Sequence, residues 1–78
     1  MLNKRVIEYG TKACSHCAAA KEYLTNHNIE FDFRDITVDL EAKKYLMDTL
    51  QIRSIPVIDI GGKLVVGFDP EKIKKALQ

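Results

Sequence analysis

Metal-ligating side chains are scarce in this chain: of 78 residues, two are cysteine and two are histidine. A closed zinc site takes about four ligands. Cys14, Cys17, His16 and His27 fill that role poorly, because on one helix His27 would stand about 16 Å beyond His16. A monomeric metal clamp is therefore not predicted. A surplus of one charge is missing too. Twelve basic and eleven acidic residues leave a net charge of +1, and basic residues gather only in pairs such as Lys43-Lys44 and Lys74-Lys75. Nucleic-acid binding, which needs a concentrated basic face, is not expected. Long apolar runs are also absent. After Lys4 and Arg5 comes only a short strand-like run interrupted by Glu8, so neither a leader nor a membrane segment is predicted, and a cytoplasmic location is expected. No flavin or nicotinamide motif occurs, so no tightly bound cofactor is expected.

What remains is the balance of a globular chain, 46% hydrophobic and 29% charged, with no linker, repeat or low-complexity segment. The expectation is a single domain over residues 1–78. Arg5 to Tyr9 predicts a first strand, ended by Gly10-Thr11. Ser15 to about His27 predicts a helix, with Asn28 at the left-handed position that ends it. Ile29 to Ile36 alternates, with Ile29, Phe31 and Phe33 on one face, and predicts a half-buried strand. Thr37 or Asp39 caps a second helix reaching about Leu50, with Leu40, Met47 and Leu50 on one side. Ile55 to Ile60 and Lys63 to Val66 flank Gly61-Gly62, the pattern of a tight hairpin. Asp69-Pro70-Glu71 opens a final helix carrying Ile73 and Leu77. The order is βαβαββα, and right-handed crossovers make the first two strands parallel neighbours in a four-stranded mixed sheet.

Both cysteines lie in one stretch, Lys12-Ala13-Cys14-Ser15-His16-Cys17. As a staple they would close so short a loop that little unfolded-state entropy is removed. A reducing cytosol also disfavours a persistent structural bridge. As buried core residues they would be inert. The strand, loop and helix around them favour redox chemistry. A cysteine at a helix N-terminus near a lysine is the setting in which a thiolate is stabilised, so Cys14 is read as the nucleophile. Cys17, one turn on and deeper, is read as the sulfur that resolves a mixed disulfide. His16 is either a solvated helix residue or a second cation beside the thiolate.

These residues, CSHC after a strand ending in Tyr9, then Ser54-Ile55-Pro56, then Gly67-Phe68-Asp69, resemble the glutaredoxin family along essentially the whole chain. The resemblance implies the α/β thioredoxin-like fold, a four-stranded mixed sheet flanked by three helices. It implies that Pro56 is a cis-proline facing the cysteines, leaving Ile55 to pair with an extended substrate; the other reading is a proline that begins a strand. It further implies glutathione as reductant, held by Lys12, Lys43, Arg53, Ile55, Gly67, Phe68 and Asp69. Three positions depart from the family pattern. Thr11 stands where the basic residue before the cysteines is usual, Val66 replaces the first glycine of the turn, and Phe68 replaces a small residue.

Gly67-Phe68-Asp69-Pro70 is similar instead to the Gly-Phe-x-Pro of glutaredoxin-like hydrogen donors of ribonucleotide reductase, typically recharged by thioredoxin reductase. Ser15, in place of the usual proline, also occurs in relatives associated with a glutathione-ligated iron-sulfur cluster bridging two subunits. The expected function is a monomeric thiol-disulfide oxidoreductase acting on protein disulfides and glutathionylated proteins. A hydrogen donor for ribonucleotide reductase and an iron-sulfur carrier are the alternatives.

Overall fold

The computed structural model describes residues 5–78. The charged lead-in expected at the start of the chain lies, but for Arg5, outside them. Four strands form one sheet in the order β2-β1-β3-β4, comprising β1 (Val6–Gly10), β2 (Asp32–Asp35), β3 (Val57–Ile60) and β4 (Lys63–Val66). β1 runs parallel to β2 and antiparallel to β3, and β3 and β4 form the predicted hairpin. Gly61 and Gly62 both take positive φ, 59° and 97°, as a two-residue turn of this hand requires. Asp59 pins the turn by accepting a 2.8 Å hydrogen bond from the Gly62 amide.

The pleat sorts the sheet into two faces. On one, Val6, Ile58, Ile60 and Val65 meet Ala20 and Leu24 of α1 (Ser15–Asn26) and Ile73 and Ala76 of α3 (Pro70–Leu77). On the other, Tyr9 and Val57 meet Ile36 and the Ala42 and Leu46 side of the second helical segment. That segment is α2 (Leu40–Lys44) running into a π-helical turn over Tyr45–Thr49. The Leu50 amide reaches back five residues to the Tyr45 carbonyl at 3.0 Å, and Gln51 then reverses the chain at φ 57°. The architecture is the thioredoxin-like fold, four mixed strands with three helices.

Several boundaries differ from expectation. The first strand begins at Val6, not Arg5, and continues through Gly10. The second is shorter than Ile29 to Ile36, because its ladder starts at the Ile7–Asp32 pair and residues before Asp32 have no partner on β1. Ile29 and Phe31 still pack against the first core cluster, so their alternation reports burial without pairing. The third starts at Val57, after the proline. Asp39 is the cap of α2, accepting from the Ala42 amide at 3.1 Å, while Thr37 bonds Asp35 instead. Leu40, expected inside, is 70% exposed. The phase of the helix is set by Ala42 and Leu46, four residues apart and buried, which leaves position 40 about 200° around from position 42.

Candidate active site

Cys14 is the residue before the first turn of α1, extended at φ −88° and ψ 118°, and its Sγ accepts a 3.2 Å hydrogen bond from the Cys17 amide. A sulfur thus occupies the capping position usually given to Ser, Thr or Asp. The positive end of the helix dipole lies at this sulfur, together with the Cys17 amide. Cys14 is half-buried and Cys17 has no exposed surface. Both are free cysteines. Burial, first of all, pushes the Cys17 thiol up to about 12, reinforced by its hydrogen bond to Cys14 and by the negative charges of Cys14 and Glu8. A backbone hydrogen bond from Thr11 opposes the shift. The two sulfurs are therefore unequal: one belongs to a half-buried residue at a helix start, the other to a fully buried one.

Two residues that matter here escaped the sequence reading. Gly10 appeared only as a strand breaker, yet a Cβ added there would stand 2.5 Å from Cys17 Sγ. The missing side chain is the space into which the buried sulfur fits. Glu8, two residues earlier on the same face of β1, is fully buried, and neither carboxylate oxygen has a hydrogen-bond partner among the described residues. Burial raises its pKa to about 7, against the pull of the Lys21 ammonium. The signal for Glu8 was in the sequence: an acid in step with Val6 on the core side of an alternating strand. Asp35, at the end of β2, is held below the usual carboxylate range by two hydrogen bonds from Thr37, hydroxyl at 2.6 Å and amide at 2.9 Å, and by Lys12 and Lys21.

The remaining sequence-predicted residues fall into two groups. The Ile55–Pro56 peptide is cis, and Pro56 is buried. Tyr9 pairs with Val57, so continuing the antiparallel register by one residue sets Pro56 opposite Gly10, where β1 leaves for the cysteines. Gly67, at φ 85°, joins it through a 2.7 Å hydrogen bond from its amide to the Pro56 carbonyl. Ile55, half-buried, packs on the second core cluster, and Lys12 is exposed in the loop before Cys14. Arg53 is exposed in the segment leading to Pro56. Lys43 is exposed at the end of α2, on the sheet face opposite α1. Phe68 is drawn inward, edge-on to Tyr23 at 6.1 Å and against the first core cluster. Asp69 is the cap of α3, accepting from the Lys72 amide at 3.3 Å. Among the described residues no group of three or more His, Cys, Asp or Glu is placed to hold a metal ion.

The profile of the Glutaredoxin family matches residues 6–65, which include both cysteines and Pro56. The chain belongs to the glutaredoxin family. As a glutaredoxin it is a thiol-disulfide oxidoreductase, and Cys14 and Cys17 stand close together at the start of α1. A glutaredoxin-like 8.6 kDa protein from the rubredoxin operon of Clostridium pasteurianum is 31% identical over 70 residues, covering 90% of this chain and 93% of its own. The glutaredoxin-like NrdH-redoxin of Escherichia coli, described by its thioredoxin-like activity profile, superimposes with a TM-score of 0.84 at 27% identity, over 91% of this chain and 92% of its own. The glutaredoxin of Archaeoglobus fulgidus gives 0.82 at 28% identity, over 97% and 88%. No helix among the described residues of this glutaredoxin is long and apolar enough to cross a membrane.

Proposed function

We propose that this protein reduces protein disulfides and glutathione mixed disulfides by a two-cysteine mechanism. The Cys14 thiolate attacks the substrate disulfide and forms a mixed disulfide; Cys17 then attacks Cys14 and releases the reduced product. The observation that carries this reading is the asymmetry of the pair, with Cys14 Sγ at the opening of α1 and Cys17 buried behind it. An extended substrate would lie along Ile55 and Pro56, and glutathione would be met by Lys12, Arg53, Gly67 and Asp69. Lys43, on the far face, is the weakest of the proposed contacts. The action is read as that of a cytoplasmic monomer.

The test is a pair of variants. Cys14→Ser abolishes all turnover, whereas Cys17→Ser retains deglutathionylation and loses protein-disulfide reduction. Loss of both activities in Cys17→Ser would show that the roles are wrongly divided.

A second reading, a hydrogen donor for ribonucleotide reductase recharged by thioredoxin reductase, is favoured by the packing of Phe68. Its ring is spent on Tyr23 and the core, at a position where the family usually has a small residue beside glutathione. The likeness to NrdH-redoxin supports it as well. Reduction of the oxidised protein by glutathione with glutathione reductase, measured against thioredoxin reductase with NADPH, separates the two electron donors. Fast recharging by glutathione would sink the second reading.

A further inference from the structure

β1 turns Val6, Glu8 and Gly10 toward α1. Val6 is ordinary core, and Gly10 makes room for the Cys17 sulfur. Between them stands a carboxylate with no exposed surface and no hydrogen-bond donor among the described residues. Its neighbours across the ladders are Phe33 on β2 and Ile58 on β3, neither of which carries charge. From α3 the facing residues Ile73 and Ala76 are apolar. From α1 it faces Cys17, whose ionisation it opposes, and Lys21, one turn further along, whose charge acts on it in turn. The Lys21 ammonium is itself held 4.3 Å from the centre of the Phe33 ring. An unpaired buried carboxylate is costly, and an apolar residue of similar size would give a more stable core. Stability therefore does not account for Glu8.

Resting on the reading in which Cys17 closes on Cys14, we propose that Glu8 takes the proton of the Cys17 thiol during that closure and returns it when the disulfide is reduced. Before the step, Cys14 is bonded to a substrate sulfur, Cys17 is a thiol and Glu8 a carboxylate. The Cys17 sulfur bonds to Cys14 Sγ, the bond from Cys14 to the substrate sulfur breaks, and its electron pair leaves with the substrate thiolate. The Cys17 proton passes to Glu8. The substrate is reduced and the dithiol oxidised. When a thiol reductant later opens the Cys14–Cys17 bond, the Cys17 sulfur departs and takes the proton back. Cys17, at about 12, does not ionise unaided at neutral pH, while Glu8, near 7, is available in both forms.

The experiment uses an aromatic disulfide whose thiolate product is coloured, mixed rapidly with the reduced protein. The first burst of colour reports attack by Cys14, and the second reports closure by Cys17. In Glu8→Gln the second burst, relative to the first, is expected to slow by about a hundredfold or more and to lose its inflection near neutral pH, in line with the usual worth of a general base. Glu8→Met, which leaves no polar group to bury, is expected to show the same slowing. A carboxylate that merely sat beside Cys17 would act in the opposite sense, since removing its charge eases ionisation of the thiol. A second burst unchanged or faster in both variants therefore overturns the proposal while leaving the two-cysteine reading intact. A wild-type protein that gives only the first burst overturns both.

Discussion

At the scale of single residues, β1 carries two side chains that a simple strand would not choose. Gly10 is needed because Cys17 Sγ occupies the place of its side chain. Gly10→Ala forces the buried sulfur or the backbone to move and is expected to destabilise the fold by about 1–3 kcal/mol, read as a lower denaturant midpoint. Glu8 gives a pH signature. Its pKa is 4.5 in the unfolded chain and about 7 in the folded one, so between those values the folded state keeps a proton that the unfolded state releases. Stability is greatest at and below the lower value, falls as pH rises through 7, and then levels. The shift corresponds to about 3 kcal/mol. Glu8→Met should remove that dependence, so the variant gains on the wild type between about pH 5 and about pH 8 in urea titrations. A gap between the two that stays constant over this range would mean that Glu8 is not held protonated.

At the scale of elements, local chemistry decided most boundaries. The extended Cys14 before α1, the left-handed Asn28 after it, the paired glycines of the hairpin and the Asp69-Pro70 start of α3 are each written in two or three adjacent residues. What was not legible depended on partners. The length of β2 is fixed by how much of β1 lies beside it, and the phase of α2 by which residues the second core accepts. Leu46→Ala should cost about 2–5 kcal/mol, whereas Leu40→Ala should cost far less, although hydrophobicity alone would make the two equal. Asp69 serves two proposed purposes that substitution can separate. Asp69→Asn preserves a capping oxygen and should fold nearly as well as the parent, while Asp69→Ala loses about 1 kcal/mol. If the carboxylate also meets the amine of glutathione, Asp69→Asn raises KM for glutathione with little change in Tm; an unchanged KM removes it from the glutathione site.

At the scale of the whole molecule, the parallel pairing of the first two strands was readable because each crossover has one favoured hand, whereas the edge that the hairpin joins, that of β1, was not. The candidate site was readable in its cysteines, which are adjacent in sequence, and in Pro56 through the family pattern. Glu8 was legible only as an acid on the core side of its strand and Gly10 only as a strand breaker, because their relation to Cys17 arises when β1 is laid under α1. The same layout has a dynamic consequence. β1, which leads into the cysteines, and β3, which follows Pro56, are the two inner strands, each hydrogen-bonded on both sides, while β2 and β4 form the rims. In hydrogen–deuterium exchange the slowest amides should then sit in Ile7, Tyr9 and Ile58, with those of the outer rims of β2 and β4 exchanging first. The loop that carries Cys14 is thus anchored on the part of the sheet that opens least often, so the placing of the two sulfurs can outlast the fraying of the rims.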